Sequence, residues 1–320
     1  MADYLSILFA MLVFPGFGFL ILCALIFQWM DRRVVARLQG RVGPPWFQPL
    51  ADLIKLLVKE DVLPAGANEF ACAALPLVSL ASVLTAILYI PVGGQAVHAF
   101  EGDLIVVLFL LSIPALAYFL AGWVSVGVYS VVGGSRSLLQ YFSYEVPFLM
   151  ALSGPAILAG SWSISTIVSQ QQAATWIVFV QPLGFLLAIV GLIGKLKRVP
   201  FDIPKAKSEV VAGPLTEFSG RKLALWHLTV HVQTIVGVFL LANVFLGGYG
   251  AGQMPFTAWD LGVGAGIVFG IKALFILLIL SLASTLYARL RIDQLAHLGW
   301  RVLAPLGILQ MAVALWVGVR

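Results

Sequence analysis

The sequence predicts an all-α polytopic membrane protein with about eight transmembrane helices, an interfacial amphipathic helix and a long structured loop. Three observations carry that prediction. Of 320 residues, 61% are hydrophobic and only 10% charged, with a mean hydropathy of +1.02; a soluble domain has about a quarter of its residues charged. Eight apolar runs, near 4–29, 70–92, 104–127, 147–167, 175–194, 226–248, 261–286 and 300–318, match the roughly 20 residues needed to cross a hydrocarbon core. Basic residues then alternate. Segments 31–68, 128–145, 195–225 and 288–301 hold 17 of the 19 Lys and Arg, while 93–103, 168–174 and 249–260 hold none. Every basic segment therefore falls on one side, expected to be the cytoplasm. An even number of spans places both termini on the opposite side of a cytoplasmic (inner) membrane. The net charge of +5 reflects this topology and gives no reason to expect nucleic acid. The whole chain reads as a single transmembrane domain.

Taken in order, the first run is too long for a removable signal peptide and is preceded by Asp3 rather than a basic cluster. Trp29 anchors it at an interface, and Arg32, Arg33, Arg37 and Arg41 follow. Anionic lipid headgroups account for Arg32 and Arg33. After the Gly43-Pro44-Pro45 turn, Leu50, Leu53, Ile54, Leu57 and Val58 recur at helical spacing. That helix is too short to span and lies at the cytoplasmic surface, within a loop over 31–68. Asp52 pairs with Lys55 at i, i+3 or serves a site.

Segment 93–103, with Glu101 and Asp103, is a short outer loop. Arg136 and Glu145 stand out before the fourth run. Glu145 precedes Pro147 by two residues, and a carboxylate at the start of a helix is favoured by its dipole; a proton-titrating role is the alternative. The fifth run is packing. His227 and His231 open the sixth at i, i+4; with no third ligand near, they suit an interfacial belt better than a metal. Lys272 lies near the middle of the seventh. A charge there costs roughly 3 kcal/mol on insertion scales and usually serves a polar path, so function ranks first for it. Its partner should be Glu145, a carboxylate of the 195–222 loop, or one from a neighbouring subunit. Arg289, Arg291 and Asp293 follow at the cytoplasmic edge.

The stretch 195–222 (KLKRVPFDIPKAKSEVVAGPLTEFSGRK) organises the chain. It holds seven basic residues and the carboxylates Asp202, Glu209 and Glu217, broken by Pro200, Pro204 and Gly213-Pro214. Its apolar anchors Phe201, Val210, Val211, Leu215 and Phe218 have no use in a plain solvated loop. The segment 195–225 thus reads as a charged cytoplasmic loop built as a site. Glu145, Glu209, Glu217 and Asp52 are expected to share one polar region, with Arg136, Lys205 and Lys207 as counter-charges. Cys23 and Cys72 show no CxxC pairing, so iron–sulfur ligands are not expected in this chain. No phosphate-cradling glycine motif or nucleophile–base constellation occurs, and no internal repeat suggests a stand-alone transporter.

With these segments in place, the chain resembles the H subunit of respiratory complex I, the NADH:quinone oxidoreductase. It resembles equally the homologous membrane subunit of group 4 membrane-bound [NiFe] hydrogenases. The motifs are DRRVVARLQGRVGP, QPLADLIKLLVKED, GGSRSLLQYFSYEVP, PFDI..A.SEVVAGPLTEFSG and RLRIDQLAHLGW. The resemblance implies a membrane anchor beneath a soluble electron-transfer arm, next to antiporter-like membrane subunits. It places any quinone chamber near Arg37, Asp52 and Phe218. Its ion path would run through Asp52, Glu145, Asp202, Glu209, Glu217 and Lys272, supported by Arg37, Arg41, Lys55, Arg136, Lys205, Lys207, Arg289, Arg291 and Asp293. No cofactor is expected on this chain alone; iron–sulfur clusters would sit in partner subunits. Lys205 and Lys207 stand where the resemblance implies glutamates, so a path through those positions must work differently here. AGPLTEFSG favours the hydrogenase branch, while GGSRSLLQYFSYEVP and DQLAHLGW favour complex I.

Overall fold

A computed structural model describes residues 11–14, 16–94, 96–173, 175–250 and 262–318. Its regular elements are helices: α1 (Phe17–Leu38), α2 (Gln48–Val58), α3 (Glu69–Ala86), α4 (Asp103–Val124), α5 (Val128–Ala159), α6 (Ile164–Ala173), α7 (Pro182–Lys195), α8 (Gly220–Leu246), α9 (Gly262–Leu286) and α10 (Ile292–Gly318). Single helical turns occur at Ile177–Val180, Lys207–Val210 and Gly213–Leu215. Six of these helices, α3, α4, α5, α8, α9 and α10, are long and apolar enough to cross a membrane. At 14 residues α7 is shorter, and α1 carries Asp31, Arg32, Arg33 and Arg37 in its second half. The chain is a polytopic membrane protein.

The axis is α8, with 89% of its apolar window inside the protein. It packs on α1, α2, α3, α6 and α9, while α5 packs on α4, α7 and α10, and α4 joins the two groups through α3. One apolar core runs through both, from Leu20 and Val83 to Phe148, Leu192 and Phe245. Close approach of α7 to α5 depends on two glycines. A Cβ on Gly191 would lie 2.7 Å from Phe148, and one on Gly194 2.9 Å from Tyr144. Small residues at such crossings let membrane helices meet backbone to backbone.

Three boundaries differ from the sequence expectation. First, α1 continues past Trp29 to Leu38, so Arg32, Arg33 and Arg37 ride on a helix while Arg41 stays in the loop; residues 4–10 and 15 of the first run lie outside the described residues. Second, α5 starts at Val128 rather than near 147. Its 32 residues measure about 48 Å, longer than a hydrocarbon core. The Gly, Ser and Gln of its first half hide it from a hydropathy count, and Pro147 lies inside it. Glu145 is therefore mid-helix, and the helix-start dipole does not explain it. Third, α10 begins at Ile292 and passes through a π-helical stretch at Leu298–Leu303.

The amphipathic α2 forms as expected. Leu50, Ile54 and Leu57 point outward on it, the disposition of a helix lying in an interface.

Candidate functional site: a cavity at the basic edge and a charged chain leading inward

The loop around α2 is pinned at both ends. Trp29 Nε1 donates to Pro44 O at 3.1 Å. On the far side, Asp61 Oδ1 accepts the Arg221 backbone N–H at 2.6 Å, placing a carboxylate on the amino end of α8 where the dipole favours it. Between α1, α2 and α8 this leaves a cavity of about 390 Å³. Its apolar wall is Leu25, Pro49, Leu53, Leu56 and Leu228; its polar wall is Gln28, Arg32, Asp52, Lys55, Lys59, His227 and His231. Arg32 and Gln48 each donate to Asp52, both at 2.8 Å. The hydrogen bond from the Arg32 guanidinium holds the Asp52 carboxyl below the usual carboxylate range.

From the cavity, polar groups continue into the protein. Gln28 and His231 also border a smaller space with Arg198 and Thr234. Arg198 pairs with Asp31 at 2.9 Å, and the Ser281 hydroxyl donates to the same Asp31 oxygen at 2.6 Å. The 196–219 segment folds inward over α4, with Phe201, Ile203, Val210, Leu215 and Phe218 buried. It is tied to the α10 approach by Leu290 N–H to Pro200 O at 3.1 Å and by Arg289 to Asp202 at 2.7 Å. Burial raises the Asp202 carboxyl, and the Arg289 charge opposes it. Lys197 and Lys205 lie over the Tyr118 ring, at 4.4 and 5.6 Å from its centre. Beyond them, Lys195 donates to Glu145 at 2.8 Å, with the lysine side chain fully buried and the glutamate nearly so.

The structure brings some of the expected residues together and separates others. Asp52, Lys55, Asp202, Lys205, Arg289 and Glu145 lie along the cavity and its inward chain. Arg37 does not line the cavity, and Phe218 packs on Trp226 in a second apolar cluster. Their place is taken by Arg32, expected only to meet lipid, and by His227 and His231, expected at an interfacial belt. Glu209 is exposed and paired with Arg136, and Glu217 packs against Gly127, so these two do not share a region with Glu145. Lys207 is exposed on a single helical turn. Arg41 bonds Gln39 on the surface. Arg291 and Asp293 sit exposed at the start of α10, where Asp293 suits the helix dipole.

The partner of Glu145 is Lys195, not Arg136, Lys205 or Lys207. The sequence groups Lys195 with the loop; the close α7–α5 crossing makes it an interior residue. Lys272 has no carboxylate partner among the described residues. Its Nζ donates to Gly248 O at 2.8 Å and Gly250 O at 2.6 Å and lies 4.7 Å from the Trp176 ring centre. Both carbonyls belong to the turn just past the carboxyl end of α8, and backbone carbonyls accept hydrogen bonds from an ammonium. Asp103 is fully buried, accepting the Ile164 N–H at 2.7 Å at the start of α6; it is no loop residue. Sequence reasoning misses Asp31, Lys195, Lys197, Arg198 and Tyr118 as site residues. The GKLKR run at the end of an apolar segment is the available signal for three of them.

An all-helical membrane protein with a half-polar cavity at its basic edge, joined to buried charges, is the class this fold and site define. Residues 10–315 match the NADH dehydrogenase family. Over 304 aligned residues the chain is 37% identical to the second NADH-quinone oxidoreductase H subunit of Geobacter sulfurreducens, covering 90% of this chain and 89% of that protein. It is 33% identical to the corresponding H subunit of Dehalococcoides mccartyi, covering 93% and 83%. The H subunit of Thermomicrobium roseum is 35% identical, covering 93% and 95%. Among solved structures, a chain of the membrane-bound sulfane sulfur reductase, an archaeal respiratory membrane complex, superimposes with a TM-score of 0.85 at 26% identity, covering 98% and 100%. The chain belongs to the NADH dehydrogenase family.

Proposed function

We propose that this chain is the membrane-anchor and ion-translocation subunit of a complex I-type respiratory enzyme, coupling quinone reduction in a soluble arm to proton or sodium transport. It holds no redox centre in this reading; iron–sulfur clusters belong to the soluble-arm subunits on the cytoplasmic face, and antiporter-like subunits adjoin it in the membrane. One observation carries it: polar groups run from the 390 Å³ cavity through Arg198–Asp31, Asp202 and the lysines to a buried Lys195–Glu145 pair. Residues of the cavity suit a quinone. Its aliphatic wall fits an apolar tail, while Arg32, Gln28, His227 and His231 present donors for the two ring oxygens. A bound quinone would supply the electron acceptor, whose charge change the Arg32–Asp52 pair would meet first.

The similarity to the sulfane sulfur reductase chain favours a second reading. There the same subunit serves a ferredoxin-driven or hydrogenase-type complex, and the cavity meets a different acceptor. Both readings route ions through the same interior charges. The test is Glu145→Gln in the intact complex, reconstituted in vesicles. Expected is redox turnover with ion transport per electron reduced at least tenfold. Full transport by this variant would refute the path.

A further inference from the structure

Three lysines meet at one point in the interior, and the path described so far assigns no task to two of them. Lys195, Lys197 and Lys205 border one small space together with Tyr118 and Trp226. Its volume is about 10 Å³, close to what the centre of a single water needs. Two polar atoms on residues of its wall, the Tyr118 hydroxyl and Trp226 Nε1, are buried with no hydrogen-bond partner among the described residues. Buried polar groups of this kind are as a rule satisfied by protein or by water.

Lys197 also stands where its backbone disfavours it. It follows the last turn of α7 with φ +51°. Its N–H donates to Gly194 O, and the Arg198 N–H donates to Ile193 O. These are the two bonds of a Schellman helix end, whose left-handed position glycine normally takes. A lysine there is strained because of its Cβ, and strain retained at a half-buried, charged position points to function.

Several charged and titratable groups face Lys197. Tyr118 comes from α4, Glu145 from α5 and Lys195 from α7; Lys205, Arg198 and Asp202 come from its own segment, with Arg289 behind Asp202. From α8, His227 and His231 lie toward the cavity. Burial lowers Lys197 to about 7, with Lys205 and Lys195 adding repulsion and Glu145 opposing. Burial lowers Lys205 too, against the pull of Asp202.

We propose that Lys197 is the proton-exchanging group of the interior path, taking a proton from Lys205 through one water at the three-lysine junction and releasing it toward Lys195–Glu145. In the first transfer an N–H bond breaks on the Lys205 ammonium as one forms on the Lys197 amine; in the second, Lys195 passes its own proton to the Glu145 carboxylate, forming an O–H bond, as it takes the proton that leaves Lys197, and no electron moves. This rests on the ion path proposed above. It gives Lys205, which replaces an acidic group implied by the resemblance, a way to take part as an amine.

The experiment uses the intact complex in vesicles, with a pH-sensitive dye inside and transport expressed per electron. Two variants separate proton exchange from charge. Lys197→Gly suits the left-handed position, so folding is not at risk. Lys197→Arg keeps the charge and the ring contact but holds its proton at any pH near neutrality. Both are expected to lower transport per electron at least tenfold and to abolish a wild-type pH dependence with a midpoint near 7. Wild-type transport with an unchanged pH profile in either variant would overturn the inference. Glu145→Gln runs alongside. If it blocks transport while the Lys197 variants pump normally, only this inference falls; if it pumps normally, the path itself falls.

Discussion

Replacing Lys195 by Met tests the interior charge pair most directly. The Lys195 side chain is fully buried and donates to Glu145 at 2.8 Å. Its ammonium also lies 5.0 Å from the centre of the Phe148 ring. Methionine keeps much of the stem volume, so packing against α5 changes little and the charge is what is lost. Glu145 would then be an uncompensated buried carboxylate, one of whose oxygens already has no partner among the described residues. Removing one member of such a pair costs about 3–5 kcal/mol, and loss of the ring contact adds up to about 2 kcal/mol. Removing both charges reverses the sign of the argument: Lys195→Met with Glu145→Leu should be neutral or up to about 4 kcal/mol more stable. Thermal and denaturant unfolding of the purified complex, wild type against both single variants and the double, gives the coupling energy. A single Lys195→Met variant within about 0.5 kcal/mol of wild type, with no coupling to Glu145, would refute the reasoning.

Five further outcomes are expected. Asp52→Asn weakens the acceptor of Arg32 and Gln48, so KM for a short-chain quinone analogue should rise about tenfold or more, the loss of one charge-assisted hydrogen bond, with assembly intact. Because Asp52 titrates below its unfolded value, its contribution to stability is complete above about pH 4 and is lost only as pH falls through the lowered folded value; a loss already at about pH 6 would contradict the pair. Lys272→Met should assemble and turn over with reduced ion transport if Lys272 serves the path; full gradient formation would leave it the task of tying α9 to the end of α8. Cysteine labels at 98–100 should react from outside the cytoplasm and labels at 45–65 and 200–220 from inside; the companion outer segment 251–260 lies outside the described residues. The purified chain alone should show no visible-range absorption, and a stoichiometric haem, flavin or iron–sulfur spectrum would contradict that.

Much of this protein was legible along one dimension. Membrane insertion depends on local hydropathy and on the side where Lys and Arg fall, both of which are sums over short windows. The helices α3, α4, α8 and α9 and the amphipathic α2 therefore appear in the sequence nearly where they form. The chain of interior charges was only half legible. Asp202 and Glu145 could be nominated because carboxylates are rare here, with 14 Asp and Glu in 320 residues. Their partners could not, since Glu145 meets Lys195 across 50 positions and Arg198 meets Asp31 across 167.

The sequence by itself determined that the chain lies in a membrane, which edge is basic and which charges are too costly to be incidental. Only the tertiary structure decided which of those charges meet. It did so through contacts that no window contains. Gly191 and Gly194 let α7 touch α5 and turn Lys195 from a loop residue into a buried partner. The inward fold of 196–219 carries Lys197 and Lys205 onto Tyr118. Arg32 turns from lipid to Asp52 because α2 lies back against α1. A charge in an apolar interior is stable only beside its counter-charge or a carbonyl, so the packing that supplies the partner also fixes which residues can act.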